Sequence, residues 1–150
     1  MSPGAKHILV VDDEDAINEL LGDLLNEAGY RVSFATTCQD GLDALGKADL
    51  DLVIVDKNLP DDSGMEIIRQ ARRDEDGPEA IMITGYGSLE TAIEAMDLGA
   101  RGYLLKPFED LGEILEKVQK VLAAAEERSK MKALIEQLRK TNDAAAGRGE

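Results

Sequence analysis

Five polar side chains stand where short apolar runs stop. Asp12 and Asp13 follow Ile8-Leu9-Val10-Val11, Asp56 follows Leu52-Val53-Ile54-Val55, Thr84 follows Ala80 to Ile83, and Lys106 follows Gly102 to Leu105. If those ends meet, three carboxylates, a hydroxyl and an ammonium share one rim. Two carboxylates ~4 Å apart at an effective dielectric near 20 repel by about 4 kcal/mol, so three together need a cation or raised pKa values. A divalent ion is the economical answer. Oxygen-only ligands without paired His or Cys point to Mg²⁺, or Mn²⁺ in its place, and away from zinc. A carboxylate held against such an ion can act as a nucleophile on phosphorus. Lys106 would then neutralise the new charge and Thr84 would donate a hydrogen bond to it.

Each residue also has a plainer reading. Asp12 and Asp13, like Glu14 and Asp15, suit the N-terminus of a helix. Lys106 alone reads as a solvated lysine, and Thr84 alone as a strand-end cap. What raises them is the joint placement at the ends of four different runs.

The elements that must position them alternate strictly. Apolar runs without polar interruption at Ile8–Val11 and Leu52–Val55 are those of strands covered on both faces. Weaker strands fit Ala80–Ile83 and Gly102–Leu105. Arg31–Ala35, in which Val32 and Phe34 alternate with polar residues, reads as an edge strand. Ile17, Leu20, Leu21, Leu24, Leu25 and Ala28 form one helical stripe ending at Gly29, a C-cap. Further helices fit Cys38–Lys47, Ser63–Arg73 and Leu89–Leu98 after the N-cap Ser88, and a fifth carries Leu111, Ile114, Leu115, Val118, Val121, Leu122 and Ala125. Such βα alternation predicts a mostly parallel sheet with helices on both faces, and ligands at the carboxyl ends of its strands.

Charge and composition narrow the function. The chain of 150 residues carries a net charge of −14, concentrated in residues 1–108, which hold 22 acidic and 9 basic side chains. That surface disfavours nucleic acid and anionic lipid and favours cations. Cys38 is the single cysteine and reads as a small residue on a helix face. No apolar run approaches a membrane span and the N-terminus lacks a signal-peptide pattern, so a cytoplasmic location is expected. A nucleotide switch is disfavoured, since neither a G-x-x-x-x-G-K-[ST] loop nor a G-x-G-x-x-G turn is present.

The segments ILVVDDE, VIVDKNLPDDSG, MITGYGS and GYLLKPF, in this order, closely resemble the receiver domain of two-component response regulators over about residues 6–125. The resemblance implies a flavodoxin-like, doubly wound five-stranded parallel sheet of order 2-1-3-4-5. It implies Asp56 as phosphoacceptor, Thr84 as switch hydroxyl and Lys106 as the phosphoryl-facing cation. Asp13 and Asp56 would ligate Mg²⁺ directly, Asp12 largely through water, and Asn58 through its backbone carbonyl. Lys106-Pro107 resembles the family's cis peptide, Tyr103 occupies the position of its mobile aromatic, and Pro60 and Gly64 belong to the turn after the third strand. Gly85 leaves room for the phosphoryl group, and Tyr86 would shield it from water. The implied donor is a sensor histidine kinase docking on Ile17–Leu25, and the implied output is a downstream protein effector reading the fourth helix, fifth strand and fifth helix. Such a protein is a switch rather than an enzyme, limited to its own phosphoryl transfer and autodephosphorylation. A phosphatase of the aspartate-nucleophile class would need an acid two residues after Asp56, where Asn58 stands. A constitutive dimerising scaffold that leaves Asp56 idle is a further alternative.

Beyond a receiver of residues 1–125, the helix-permissive stretch 109–140 would reach ~48 Å if continuous. Ile114, Val118, Val121, Ala125 and Arg128 keep an alternating 4, 3 spacing, and Met131, Ile135 and Leu138 resume it after a break at 126–130. Residues 126–140 are therefore expected to form a coiled coil that pairs two copies, or a connector or tail that docks on a partner. Residues 141–150 are expected to be disordered. If the 150 residues are the whole protein, output is expected to pass through protein contacts; if they are the receiver fragment of a larger regulator, the helix is expected to connect it to an effector.

Overall fold

The computed structural model describes residues 4–85 and 87–148, with side chains as far as residue 144. Five strands, β1 (His7–Val11), β2 (Arg31–Ala35), β3 (Leu52–Asp56), β4 (Glu79–Thr84) and β5 (Gly102–Leu105), alternate with α1 (Asp15–Glu27), α2 (Cys38–Lys47), α3 (Met65–Ala71), α4 (Leu89–Asp97) and α5 (Leu111–Arg148). All pairings are parallel, in the order β2-β1-β3-β4-β5. The order reverses between β1 and β3, which sets their carboxyl ends side by side.

Two apolar layers cover the sheet because successive strand residues point to opposite faces. Leu9, Val11, Val53, Val55, Ala80 and Met82 pack with residues of α2 and α3, whereas Ile8, Val10, Leu52, Ile54, Ile81 and Ile83 pack with Leu21 and Leu25 of α1 and Ile114, Val118 and Leu122 of α5. Uninterrupted apolar runs at β1 and β3 follow from this double coverage. At the edge, β2 leaves Phe34 half-exposed, stacked over α1 where a Cβ on Gly22 would come within 2.5 Å of its ring.

Turn chemistry moves some boundaries. The first helix ends at Glu27 with Ala28 as C-cap, and Gly29 follows at φ +98°, a conformation that favours glycine. Ser88 does cap α4, accepting a hydrogen bond from the Thr91 N–H. Helix α3 is shorter than the expected Ser63–Arg73, because Ser63 is committed to an antiparallel bridge with Asn58 and the helix starts only after Gly64.

The last helix is extended, as expected. It is continuous through 126–130, where the apolar spacing breaks, Glu126 pairs with Lys130 at 3.8 Å and Arg128 reaches the receiver body. It also runs on to Arg148, through most of the segment expected to be disordered from residue 141. Ala144, Ala145 and Ala146 are the strongest helix formers available and no proline intervenes. Residues 149 and 150 lie outside the described residues. Among the described residues, no helix is long and apolar enough to cross a membrane.

Candidate functional site

The five polar residues singled out above meet at the carboxyl edge of the sheet. Asp12 leaves β1 and is held to the neighbouring strand by its N–H on the Ala35 carbonyl (3.1 Å). Asp56 closes β3 and Thr84 closes β4, both buried. Lys106 follows β5, its N–H donating to the Thr84 carbonyl at 2.9 Å, and its peptide bond to Pro107 is cis. Carboxylate oxygens of Asp12, Asp13 and Asp56 all lie within 4.8 Å of one another. Asp13 is the exposed member.

Charge is balanced from one side. Lys106 Nζ stands 2.8 Å from Asp12 Oδ2, 2.9 Å from Asp56 Oδ2 and 3.2 Å from Glu14 Oε2. Burial pushes the Asp12 carboxyl above its ordinary value; Lys106 and the Glu14 N–H pull it back, and the Asp56 charge adds to the rise. For Lys106, burial works toward a lower pKa, but the bonds and charges of Asp12 and Asp56 outweigh it and the ammonium is held well above its ordinary value. One ammonium thus serves three acids. A second cation coordinated by oxygen fits this donor set, since the three clustered carboxylates are hard ligands and one of them is open to solvent.

Removing that ammonium has two expected consequences. Lys106→Met leaves the acids without their internal counter-charge, so Mg²⁺ raises its thermal midpoint further than it raises that of the unaltered chain. The stability contributed by the raised lysine pKa is complete below the ordinary value of 10.5 and is lost as pH rises through the folded value. Denaturant unfolding followed from neutral into alkaline pH should show this loss in the unaltered chain and a flatter profile in Lys106→Met. Equal metal responses in the two proteins would refute the assignment.

The loop after β3 folds back on the site. Asn58, exposed, donates its N–H to Asp56 Oδ1 at 3.1 Å, and the Gly64 N–H returns to the Lys57 carbonyl at 2.7 Å. The Gly64 backbone presses against Asp56 so closely that a Cβ there would lie 2.0 Å from the Asp56 carbonyl oxygen. Gly85 faces open space instead, with nothing within 4 Å of the position of a Cβ. Lys57 Nζ reaches the Thr91 hydroxyl at 3.4 Å, tying this loop to the first turn of α4.

Tyr103 packs against the α2–α3 layer with its hydroxyl buried and without a hydrogen-bond partner. A Cβ on Gly87 would come within 2.4 Å of Leu105 and 3.2 Å of that hydroxyl, so this glycine leaves the room that the ring and Leu105 fill. Tyr86, the expected water shield, lies outside the described residues. Glu14 is the site residue that sequence reasoning missed. Its charge suits the helix N-terminus, and it does stand at the N-cap position of α1, but its side chain makes no capping hydrogen bond there and its carboxylate instead joins Lys106. Cys38 is buried at the start of α2 and burial raises its thiol to about 11, in keeping with a packing role.

Comparison with known proteins agrees with this geometry. The family model of the response regulator receiver domain matches residues 8–119. Sporulation initiation phosphotransferase F of Bacillus subtilis is 36% identical over 115 residues, covering 77% of this chain and 92% of that protein. Transcriptional regulatory protein FixJ of Bradyrhizobium diazoefficiens is 32% identical over 132 residues, covering 88% of this chain and 64% of that one. The crystal structure of a CheY-like receiver domain protein from Methanospirillum hungatei superposes with a TM-score of 0.78 at 34% identity, covering 83% of this chain and 99% of that chain. Several curated relatives are longer, and the chain spans about half their length. The chain belongs to the response regulator receiver domain family, the receivers of two-component signalling.

Proposed function

We propose that this receiver accepts a phosphoryl group on Asp56 from the phosphohistidine of a sensor histidine kinase and thereby switches a protein-interaction surface. The observation that carries the reading is the position of Asp56: a buried carboxylate at the end of β3, clustered with two more acids and 2.9 Å from an ammonium. An Asp56 carboxylate oxygen attacks phosphorus, the phosphorus–nitrogen bond of the donor breaks, and the imidazole leaves. Asp13 and Asp56, the Asn58 carbonyl and, through water, Asp12 would hold Mg²⁺. When bound, the ion supplies positive charge shared between the attacking carboxylate and the phosphoryl oxygens.

Lys106 then shifts its ammonium onto the phosphoryl oxygens, and the Thr84 hydroxyl donates to them. Its backbone moves with it, and Tyr103 repacks behind the β4–α4 loop. Inverting a 1:99 equilibrium needs about 5.5 kcal/mol of differential stabilisation, within reach of a few charge-assisted hydrogen bonds in a buried site. Leu89, Ile93 and Met96 of α4 and Leu105 of β5 are exposed and form the surface that a downstream protein effector would read. A kinase donor and a protein effector of this kind are met in the cytoplasm, the location this reading expects. With Asn58 in place of a general acid, the chain receives and slowly loses its own phosphoryl group rather than turning over substrates.

A second reading concerns α5. Met131, Leu134, Ile135 and Leu138 are exposed along one side of the helix beyond the core, which supports pairing with a second copy of the chain.

Intact mass after incubation with acetyl phosphate tests the first reading. One added phosphoryl group is expected with Mg²⁺ and none with a chelator. No gain under either condition, or a gain indifferent to the metal, would overturn it.

A further inference from the structure

At the pole of the sheet opposite Asp56, one buried carboxylate collects three guanidinium groups. Glu79, the first residue of β4, lies 3.8 Å from Arg72 after α3, 3.3 Å from Arg101 before β5 and 2.7 Å from Arg128 of α5. Arg72 also donates to the carbonyls of Gly77 and Pro78, both at 3.0 Å, which fixes its fork. One turn beyond Arg128, Lys132 Nζ meets Asp76 at 3.2 Å. These groups line a cavity of about 490 Å³ between the pole and α5.

The placement on the helix matters. Ile114, Val118, Val121 and Leu122 face the sheet, and at about 100° per residue the exposed stripe Met131, Leu134, Ile135 and Leu138 is rotated from them by about 130°. Arg128 projects between the two stripes, and Lys132 falls on the line of the sheet-facing residues. Past Glu126 the described side chains of α5 are exposed, so apolar packing no longer holds the helix. The two ion pairs are the contacts with the body that continue where packing stops.

We propose that Arg128 and Lys132 form a latch that fixes the direction and rotation of the α5 extension relative to the receiver body. The buried Glu79 is its anchor, because a guanidinium–carboxylate bond at 2.7 Å to a desolvated acid is among the stronger polar contacts. Arg72 and Arg101 hold that acid in place from its other sides. Asp76 and Lys132, both exposed, add a second point so that the helix cannot swivel about the first. The latch decides which side of the extension is offered to a partner. It uses none of the residues clustered around Asp56.

Hydrogen exchange by mass spectrometry on the full chain tests it. Peptides covering 126–140 should exchange about tenfold faster in Arg128→Ala, and about threefold faster in Asp76→Lys and in Lys132→Asp, with β1 and β3 unchanged. The double exchange Asp76→Lys with Lys132→Asp should restore the original rate. All three sites on these variants are exposed or half-exposed, so the body folds. Rates within twofold of the unaltered chain in Arg128→Ala, or a double variant no slower than its parents, would overturn the proposal.

Discussion

Asp56→Asn takes up no phosphoryl group from acetyl phosphate under conditions in which the unaltered chain takes up one, and it remains folded. The chemistry is lost because an amide oxygen carries no negative charge and is a poor nucleophile at phosphorus. The fold survives because the amide oxygen can still accept the Asn58 N–H now bonded to Asp56 Oδ1. Lys106 keeps Asp12 at 2.8 Å and Glu14 at 3.2 Å. Losing the attraction between Asp56 and Lys106 is offset by losing the repulsion between Asp56 and the acids after β1. One attraction at 2.9 Å is set against repulsion from two acids within 4.8 Å, so the net change in stability is expected to stay within about 1 kcal/mol. Intact mass and metal-free thermal unfolding check the two halves separately. Phosphorylation persisting in this variant would move the acceptor to Asp12 or Asp13.

How much of the site was visible in the sequence follows from the architecture. In a parallel βα sheet every strand delivers its carboxyl end to one rim, so the residues just after each apolar run are neighbours in space. Local reading therefore suffices for Asp12, Asp13, Asp56, Thr84 and Lys106. It does not suffice for Glu14, whose partner Lys106 lies 92 positions away and whose local setting already explains it as a favourable charge at a helix N-terminus. The same limit applies to α3. Expected over Ser63–Arg73, it spans only Met65–Ala71, because the Asn58–Ser63 bridge and the turn after Ala71 decide where it begins and ends.

One contact of the extension was hidden for a related reason. Arg128 continues the 4, 3 spacing of Ile114, Val118, Val121 and Ala125, and spacing alone does not distinguish a seam position from a long side chain that reaches back. Its carboxylate partner, Glu79, sits 49 positions upstream at the opposite end of β4 from Thr84. The apparent break at 126–130 is thus where helix packing gives way to ion pairing, and the helix itself is uninterrupted. A charged residue in an otherwise regular apolar stripe marks the boundary between those two ways of holding a helix to its domain.

Gly64→Ala should be the most damaging single methyl group in the chain. Gly64 has φ −62° and ψ −16°, an ordinary helical conformation, so the demand for glycine comes from proximity and not from backbone freedom. The added carbon would lie 2.0 Å from the Asp56 carbonyl oxygen and 2.9 Å from both the Asp56 carbonyl carbon and Val55 Cγ2. Two of those three atoms are backbone of a central strand and cannot swing aside. Gly64 cannot retreat either, since its N–H holds the Lys57 carbonyl and its own carbonyl accepts from Ile67 and Ile68 in the first turn of α3. Relief must come from displacing the loop or the end of β3, at an expected cost of about 3 kcal/mol or more. An ångström of displacement at Asp56 would also slow phosphoryl uptake by about a hundredfold. Gly46→Ala provides the contrast: it lies in α2 with nothing within 4 Å of a Cβ, and should stabilise the chain by up to about 1 kcal/mol. Denaturant unfolding of both variants, with phosphorylation rates by intact mass, separates crowding at this contact from a general intolerance of substituted glycines. Equal stability of Gly64→Ala and the unaltered chain would mean that the loop and strand are not locked together as described.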